Sequence, residues 1–547
     1  MSKNFKYCAE STRHQAVQLA TDLNYWGKRL ISTKRAVVEQ ICAELILDDS
    51  ISFSSIIDYL EASKPTATAK AKAEQAPLVP TFAGQAEHRD NDLKVLPCGR
   101  YLVTSAQNNT TPHSSFKNML NLANEISAEV LVMPIKYTTT LEQRERKEPT
   151  YHRDFLPYLV QDNAFIGSRS GVRLAVTANI LPTAKQPINT AKRLNAGEAI
   201  TIVASPKAQT VTLPRPKGSA HRWAYTTRTA TTRHYTESRA GDEAEQDHCF
   251  GALVVEVFDT GEIAHFEVIA DEAGKLHHAV PTSQGFQPVE AMILGDLHCE
   301  KMCVESLART VQHIKKYKPN EIILHDTLDF MSRNHHNRNS GRFLYQMGSR
   351  TVIDDLASAI RVLNMIARCE SVKQVFIVAS NHDDALSQWL DCPHYNADQD
   401  VLNAKTYYYL KHAILEHIDL GHDQLNVFDL ACRKLADQVG ELSDKIVFGH
   451  LDEQHQINGF ECGQHGHLGS GGARGSQRTF RGYQMPMITG HTHSPARDFQ
   501  TLTVGVTGSL EMGYNKGGSA WDRSNALIFE SGQAVLCQTY LINELQY

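Results

Sequence analysis

The residues able to do chemistry in this 547-residue chain are concentrated in its C-terminal half. "GDLHCE" presents Asp296 and His298, "HDTLD" presents Asp326, and "SNHDD" presents Asn381, His382 and Asp383. Farther on, "CGQHGHLG" offers His465 and His467, and "GHTHSP" offers His491 and His493. Carboxylate, carboxamide and imidazole donors without a thiolate suit Mn2+, Fe or Zn2+ better than a soft metal. Each fragment alone is common, since an isolated Asp-x-His is usually a capped turn beside a surface histidine. The ordered series carries more weight, because three of its members directly follow apolar runs.

Those runs are the elements that must position the donors. "VEAMILGD", "EIILHD" and "VKQVFIVAS" read as strands, separated by the helical patterns "CVESLARTVQHIKKY" and "TVIDDLASAIRVLNMIARC". Strand and helix alternating at this spacing predict βαβ units with parallel strands. Ligands of such sheets bind beyond the carboxyl ends of the strands, so the donors are expected on one edge. Upstream, "RYLVTSA", "AEVLVMPIKY", "EAITIVAS", "GALVVEVFD" and "IAHFEVIA" are further strand candidates, with "SSFKNMLNLANEIS" as a helix. The expected organisation is α/β: an N-terminal helical segment over 1–63, an Ala/Lys/Pro-rich linker over 64–90, a mixed accessory domain over 91–285 and the donor-bearing domain over 286–547. No internal repeat is evident in the sequence.

Composition bounds the partners. A hydrophobic content of 41% and a charged content of 21% are those of an ordinary globular chain. The formal net charge of -6 supplies no global attraction to a polyanion, so nucleic acid must be met by local patches. Three segments qualify. "FMSRNHHNRNSGRF" carries Arg333, His335, His336, Arg338 and Arg342, and "GSGGARGSQRTFRGYQ" carries Arg474, Arg478 and Arg481 among glycines. Backbone amides and guanidinium forks both reach phosphate oxygens, although a solvated loop is the plain alternative. Residues 215–239 interleave Arg222 and Arg228 with Trp223, Tyr225 and Tyr235, as a strand-tracking surface does, with a twisted hairpin as the alternative. Eleven cysteines without CxxC spacing argue against a disulfide framework. With no signal-peptide core and no apolar run of about 18 residues, the expectation is a cytoplasmic protein without a membrane span.

The ordered donor set resembles the calcineurin-like metallophosphoesterase superfamily, whose pattern is DxH, GDxxD, GNH(D/E), an isolated His and GHxH. The resemblance covers about residues 289–512 and implies an αββα sandwich in the C-terminal half. It implies two divalent metal ions, Mn2+ first with Fe or Zn2+ as alternatives. One is assigned to Asp296, His298, Asp326 and His493, the other to Asp326, Asn381, His465 and His491, with Asp326 bridging. His382 becomes the acid group at the phosphate, and the adjacent Asp383 either sets its tautomer or caps a helix. Such a pair of ions holds a bridging water as hydroxide for phosphodiester hydrolysis. Two positions depart from the pattern, His325 and Ser380 standing where the family usually has glycine. The isolated His is open among His450, His465 and His467, with His465 favoured.

Within the superfamily, the large additions and arginine-rich surround look most like the nuclease branch. The chain is also similar to the pre-early DNA-transfer proteins of lytic tailed bacteriophages, which are associated with host DNA degradation. That similarity implies a deoxyribonuclease of the host bacterial cytoplasm, with DNA as partner, a phage or host protein as a second partner, and a homo-oligomer. Substrate contacts are then expected from His335, His336, Arg338, His467, Arg474, Arg478, Arg222 and Arg228. The alternatives are a phosphatase or phosphodiesterase on a phosphoprotein or small nucleotide, and a host-takeover scaffold with a structural metal site.

Overall fold

Alternating side chains within short apolar strands decide which layers meet. A computed structural model describes residues 93–137, 150–334, 340–421 and 425–539. The helical segment and linker expected over 1–90 lie outside the described residues, as do His335, His336 and Arg338. In the C-terminal half, Met292, Ile322 and Val375 face helices Val304–Tyr317 and Val352–Ala367, while Ile293, Ile323 and Phe376 face a second sheet through Ile488 and Leu502. Period-two alternation in strands apolar on both faces makes this layering possible. The longer helix starts on a capping box, Thr351 with Asp354, which satisfies amides that the helix leaves open.

The first sheet of this half runs Ile446–Phe448, Gln374–Ile377, Glu321–Leu324, Ala291–Ile293, Ser524–Ile528, Ala534–Gln538. Its first four strands are parallel and the last two antiparallel. The molecule is thus a mixed α/β protein of several sheets, with parallel strands where the helix-strand alternation predicts them.

An 11-stranded sheet packs against both this six-stranded sheet and a 5-stranded sheet of the middle region. Its centre is the antiparallel pair Gln209–Thr212 and Ala496–Asp498. The regions expected as domains 91–285 and 286–547 therefore share one sheet. Buried charge crosses the same seam: Glu267 accepts hydrogen bonds from Arg228 at 2.8 Å and Arg497 at 3.1 Å.

The two halves repeat one topology. In each, a strand, a helix and a parallel strand are followed later by an antiparallel hairpin whose first strand pairs with the opening strand. In the middle region these are Gly99–Gln107, Ser114–Glu125, Glu129–Ile135 and the hairpin Gly251–Val257 with Ile263–Ala270. Their C-terminal counterparts are Ala291–Ile293, Val304–Tyr317, Glu321–Leu324 and the hairpin Ser524–Ile528 with Ala534–Gln538. The shared sheet continues the match, strand for strand and sense for sense, from its central pair outward through Ala164–Ile166 on one side and Gln456–Ile457 on the other. No repeat is visible in the residues, but the fold carries one.

Candidate metal centre

Each donor sits just past the carboxyl end of a strand, where the chain turns sharply. His298, Asp326, His491 and His493 all adopt left-handed backbone, at φ 46°, 40°, 71° and 55°. Non-glycine residues seldom accept that conformation, and such strain gathers at functional sites. Close approach explains the glycine of "GHTH": a Cβ on Gly490 would lie 2.2 Å from Asp296 Oδ1 and 3.0 Å from His325.

The turns bring the donors from distant sequence into three groups, one of them His298, Asp329 and His382. Asp296, His298, Asp326 and His493 form a second, and Asp326, His465 and His491 form the third, donor atoms within 4.8 Å of one another in each. His493 Nε2 lies 3.0 Å from Asp296 Oδ2, His298 Nε2 3.8 Å from Asp326 Oδ2, and His465 Nε2 3.2 Å from Asp326 Oδ2. Asp326 belongs to the second and the third. Asn381 adds a carboxamide oxygen that is buried and has no hydrogen-bond partner among the described residues, as does Asp296 Oδ1. Buried acceptors left unpaired are costly, and a cation is one way to satisfy them.

The electrostatics point the same way. Burial, then the Asp326 charge, pushes the Asp296 carboxyl up to about 7. Burial holds His491 and His493 down to about 3, in the neutral form that ligates metals. His465 differs: burial works to lower it, but Asp326 prevails and lifts it to about 9. A cation at Asp326 would therefore displace a proton from His465.

Asp329, to which no role falls from the sequence alone, is an organiser of the centre. Its Oδ1 lies 3.4 Å from His298 Nδ1 and 3.8 Å from His382 Nδ1, and Lys301 Nζ sits 2.8 Å from Oδ2. The signal was available in "HDTLD", whose second Asp follows one short turn after Asp326. Carboxylates behind ligating imidazoles orient the ring and raise its basicity. Asp383, expected beside His382, does something else. It accepts from the amides of Leu328 at 2.7 Å and Thr327 at 3.3 Å, and from Ser380 Oγ at 2.8 Å. These bonds tie the turn after Asp326 to the loop of Ser380, so Asp383 positions the loops rather than the imidazole.

The two departures from glycine are accommodated. Ser380 caps Asp383, and His325 is fully buried with Nδ1 3.5 Å from His465 Nδ1. Of the three candidates for the isolated histidine, His465 lies beside Asp326, His467 is tilted against His465 with ring centroids 5.4 Å apart, and neither His467 nor His450 joins a donor group.

The expected substrate contacts divide. Arg474 and Arg478 are exposed on the segment after His467, whose carbonyl accepts from Gly475 N at 3.1 Å. Arg222 is half-buried on the hairpin before Trp223. Arg228 is corrected: it is 1% exposed and committed to Glu267, so it cannot reach a solvent-borne phosphate. Trp223 and Tyr225 are likewise core residues, because 223–226 is a buried strand and alternation there records two packed faces. Arg333 is buried and held by Asp400.

No family model matches the chain. No solved structure matches it either. Protein A1 of Escherichia phage T5 is 36% identical over 547 residues, an alignment covering 95% of this chain and 96% of the phage protein. Among the described residues no helix is long and apolar enough to cross a membrane. With identity at that level along nearly the whole of both chains, the chain belongs to the family of Protein A1 of Escherichia phage T5.

Proposed function

We propose that the protein is a dinuclear metal-dependent nuclease that hydrolyses DNA phosphodiester bonds, built on an αββα sandwich of the metallophosphoesterase type and serving to degrade host DNA during phage infection. One observation carries the reading: two donor groups share Asp326, with a third, His298, Asp329 and His382, beside them. Asp296, His298, Asp326 and His493 would hold one divalent cation, and Asp326, Asn381, His465 and His491 the other, Mn2+ being the first choice for such a donor set. When bound, the pair supplies a water of lowered pKa and neutralises charge on the phosphate oxygens.

The chain's own residues do the rest. His382, next to the cluster without belonging to either group around Asp326, is placed to give a proton to the leaving oxygen. Asp329 steadies its Nδ1 side and that of His298. Asp383 locks the turn that carries Asp326. Arg474 and Arg478 offer guanidinium groups to the DNA backbone from an exposed, glycine-rich segment. The test is purified protein with plasmid, linear duplex and single-stranded DNA, with and without Mn2+, beside a small chromogenic phosphodiester. Mn2+-dependent cleavage of DNA is expected. Turnover of nucleotides or phosphopeptides with every form of DNA left intact would overturn the nuclease reading in favour of a phosphatase.

A further inference from the structure

Two aromatic rings stand against the metal centre on a segment that no step above uses. Trp521 meets His493 edge-on with ring centroids 4.1 Å apart, and Tyr514 lies 6.0 Å from His382 at an interplanar angle of 32°. The two rings are 5.9 Å from each other, and both are only half-buried. Lys301 Nζ sits 4.8 Å over the Tyr514 ring and donates to Met512 O at 3.0 Å, which fixes the tyrosine's side of the segment.

The segment is anchored at both ends. At its start, Gly508 N donates to Asp296 O at 3.2 Å and Ser509 N to Lys301 O at 2.9 Å. A side chain at Gly508 is excluded, because its Cβ would lie 2.6 Å from Leu297 O. At its end the anchor comes from the middle half: Arg215 and Ser519 exchange backbone hydrogen bonds at 2.9 and 3.0 Å, and Arg215 Nη2 donates to Trp521 O at 3.1 Å. Asp522, the next residue, accepts from Trp223 Nε1 at 2.9 Å. Between the anchors, Gly513 and Gly517 take positive φ and Lys516 is exposed.

We propose that 508–521 is a substrate strap, on which Tyr514 and Trp521 pack against a nucleobase adjoining the scissile phosphate, with Arg215 of the middle half holding the strap in place. The inference rests on the nuclease reading and names what that site recognises beyond phosphate. Stacking on aromatic faces is indifferent to which base is present, as a degradative nuclease requires. The middle half thereby acquires a task, which is to position one wall of the other half's site.

The experiment compares two Mn2+-supplemented oligonucleotide substrates of one length. One carries natural bases; the other carries stable abasic sites flanking the same bonds. The wild-type protein is expected to favour the base-bearing strand in kcat/KM by about tenfold or more. Tyr514→Leu and Trp521→Leu should each bring that ratio toward one, with Mn2+ content and circular dichroism as checks on folding. Arg215→Met should lower the ratio while leaving Tyr514 and Trp521 in the chain. Equal cleavage of both oligonucleotides by wild type, or a ratio untouched in both aromatic variants, overturns the strap. Cleavage of neither oligonucleotide overturns the nuclease reading itself, so the two failures are distinct. The wild-type comparison needs no variant and stands even if a substituted protein fails to fold.

Discussion

The middle and C-terminal halves trace the same path through two sheets, yet among the described residues only the C-terminal half gathers groups that could hold a metal ion. Asp296 accepts Thr507 N through its carbonyl, and the counterpart in the middle half is Ser105, whose carbonyl accepts Ala230 N, both at 2.9 Å. Val203 and Thr489 pair with Thr226 and Thr503 at matching strand ends, which sets Ser205 opposite His491 and Lys207 opposite His493. Lys207 is buried and paired with Asp247 at 2.9 Å. The edge that would be a site in the middle half is filled with threonine, serine and an internal ion pair. Strand order builds the shelf; residue types at the strand ends decide whether it holds anything.

A second difference lies in connectivity. Asn381 and His382 follow the strand Gln374–Ile377, which has no counterpart strand among the described residues of the middle half. The antiparallel junction also turns the two halves end for end, so the hairpin of 213–222 in the middle half reaches the donor-bearing edge of its neighbour. That is how a half without donors comes to hold the strap.

The sharpest way to break the comparison is to equalise the halves. Asp326→Ala should cut DNA hydrolysis by about a thousandfold or more and strip bound Mn2+, because two donor groups lose a member. Ser105→Ala on the matching shelf should leave rate and metal content where they were. Nuclease assays and metal analysis on the two variants decide it; equal losses would mean that the middle half carries a site of its own.

Next in size is the seam. Glu267 is 2% exposed between Arg228 and Arg497, and Glu267→Gln should cost about 3 kcal/mol or more by leaving buried guanidinium charge unmatched. Burial works to raise the Glu267 carboxyl, but the two arginines prevail and hold it at about 2, against an ordinary 4.5. A carboxyl depressed by folding contributes stability in full above about 4.5 and loses it as pH falls toward about 2. Denaturant unfolding of wild type across that window should show the loss, and the Gln variant should show a flatter profile.

His382→Asn separates chemistry from metal. Turnover should fall about a hundredfold while Mn2+ stays bound, since the imidazole lies outside both groups around Asp326; metal loss would make His382 a ligand. Asp329→Asn should cost about tenfold in activity by loosening His298 and His382 together, visible as a weaker Mn2+ affinity alongside a lower kcat. The smallest effect belongs to the rim. Arg474→Ala with Arg478→Ala should weaken DNA binding at low salt and make the slope of log affinity against log salt shallower by about one to two. An unchanged slope would remove those arginines from the DNA path.

Local pattern made much of this legible. The strands and helices of 289–380 follow from apolar periodicity and turn residues, and the donors at their ends follow from residue type, because a strand end is a place the sequence specifies locally. Five upstream strands, Gly99–Gln107, Glu129–Ile135, Ile200–Val203, Gly251–Val257 and Ile263–Ala270, were equally readable, and the short ones between them were not. Exposure was not: Arg222 and Arg228 look alike as neighbours in a cationic, aromatic stretch, yet one borders solvent and the other is sealed against Glu267. The place of Asp329 was hidden for the same reason: adjacency in sequence suggests Asp383 either as the partner of His382 or as a helix cap, while the turn after Asp326 brings Asp329 to the imidazole.

By itself the sequence determined the chemistry on offer: oxygen and imidazole donors, the helices and strands that carry them, and the glycine without which Asp296 could not approach the "GHTH" turn. Only the tertiary structure decided which donors lie close enough to share a cation, that the halves repeat one topology with no matching residues to betray it, and that they are joined through a single sheet. The physical reason is that backbone pairing tolerates almost any side chain of suitable polarity and shape. A duplicated path can therefore keep its hydrogen bonds after its sequence has drifted, whereas a metal centre exists only where distant side chains are brought within a few ångströms of one another.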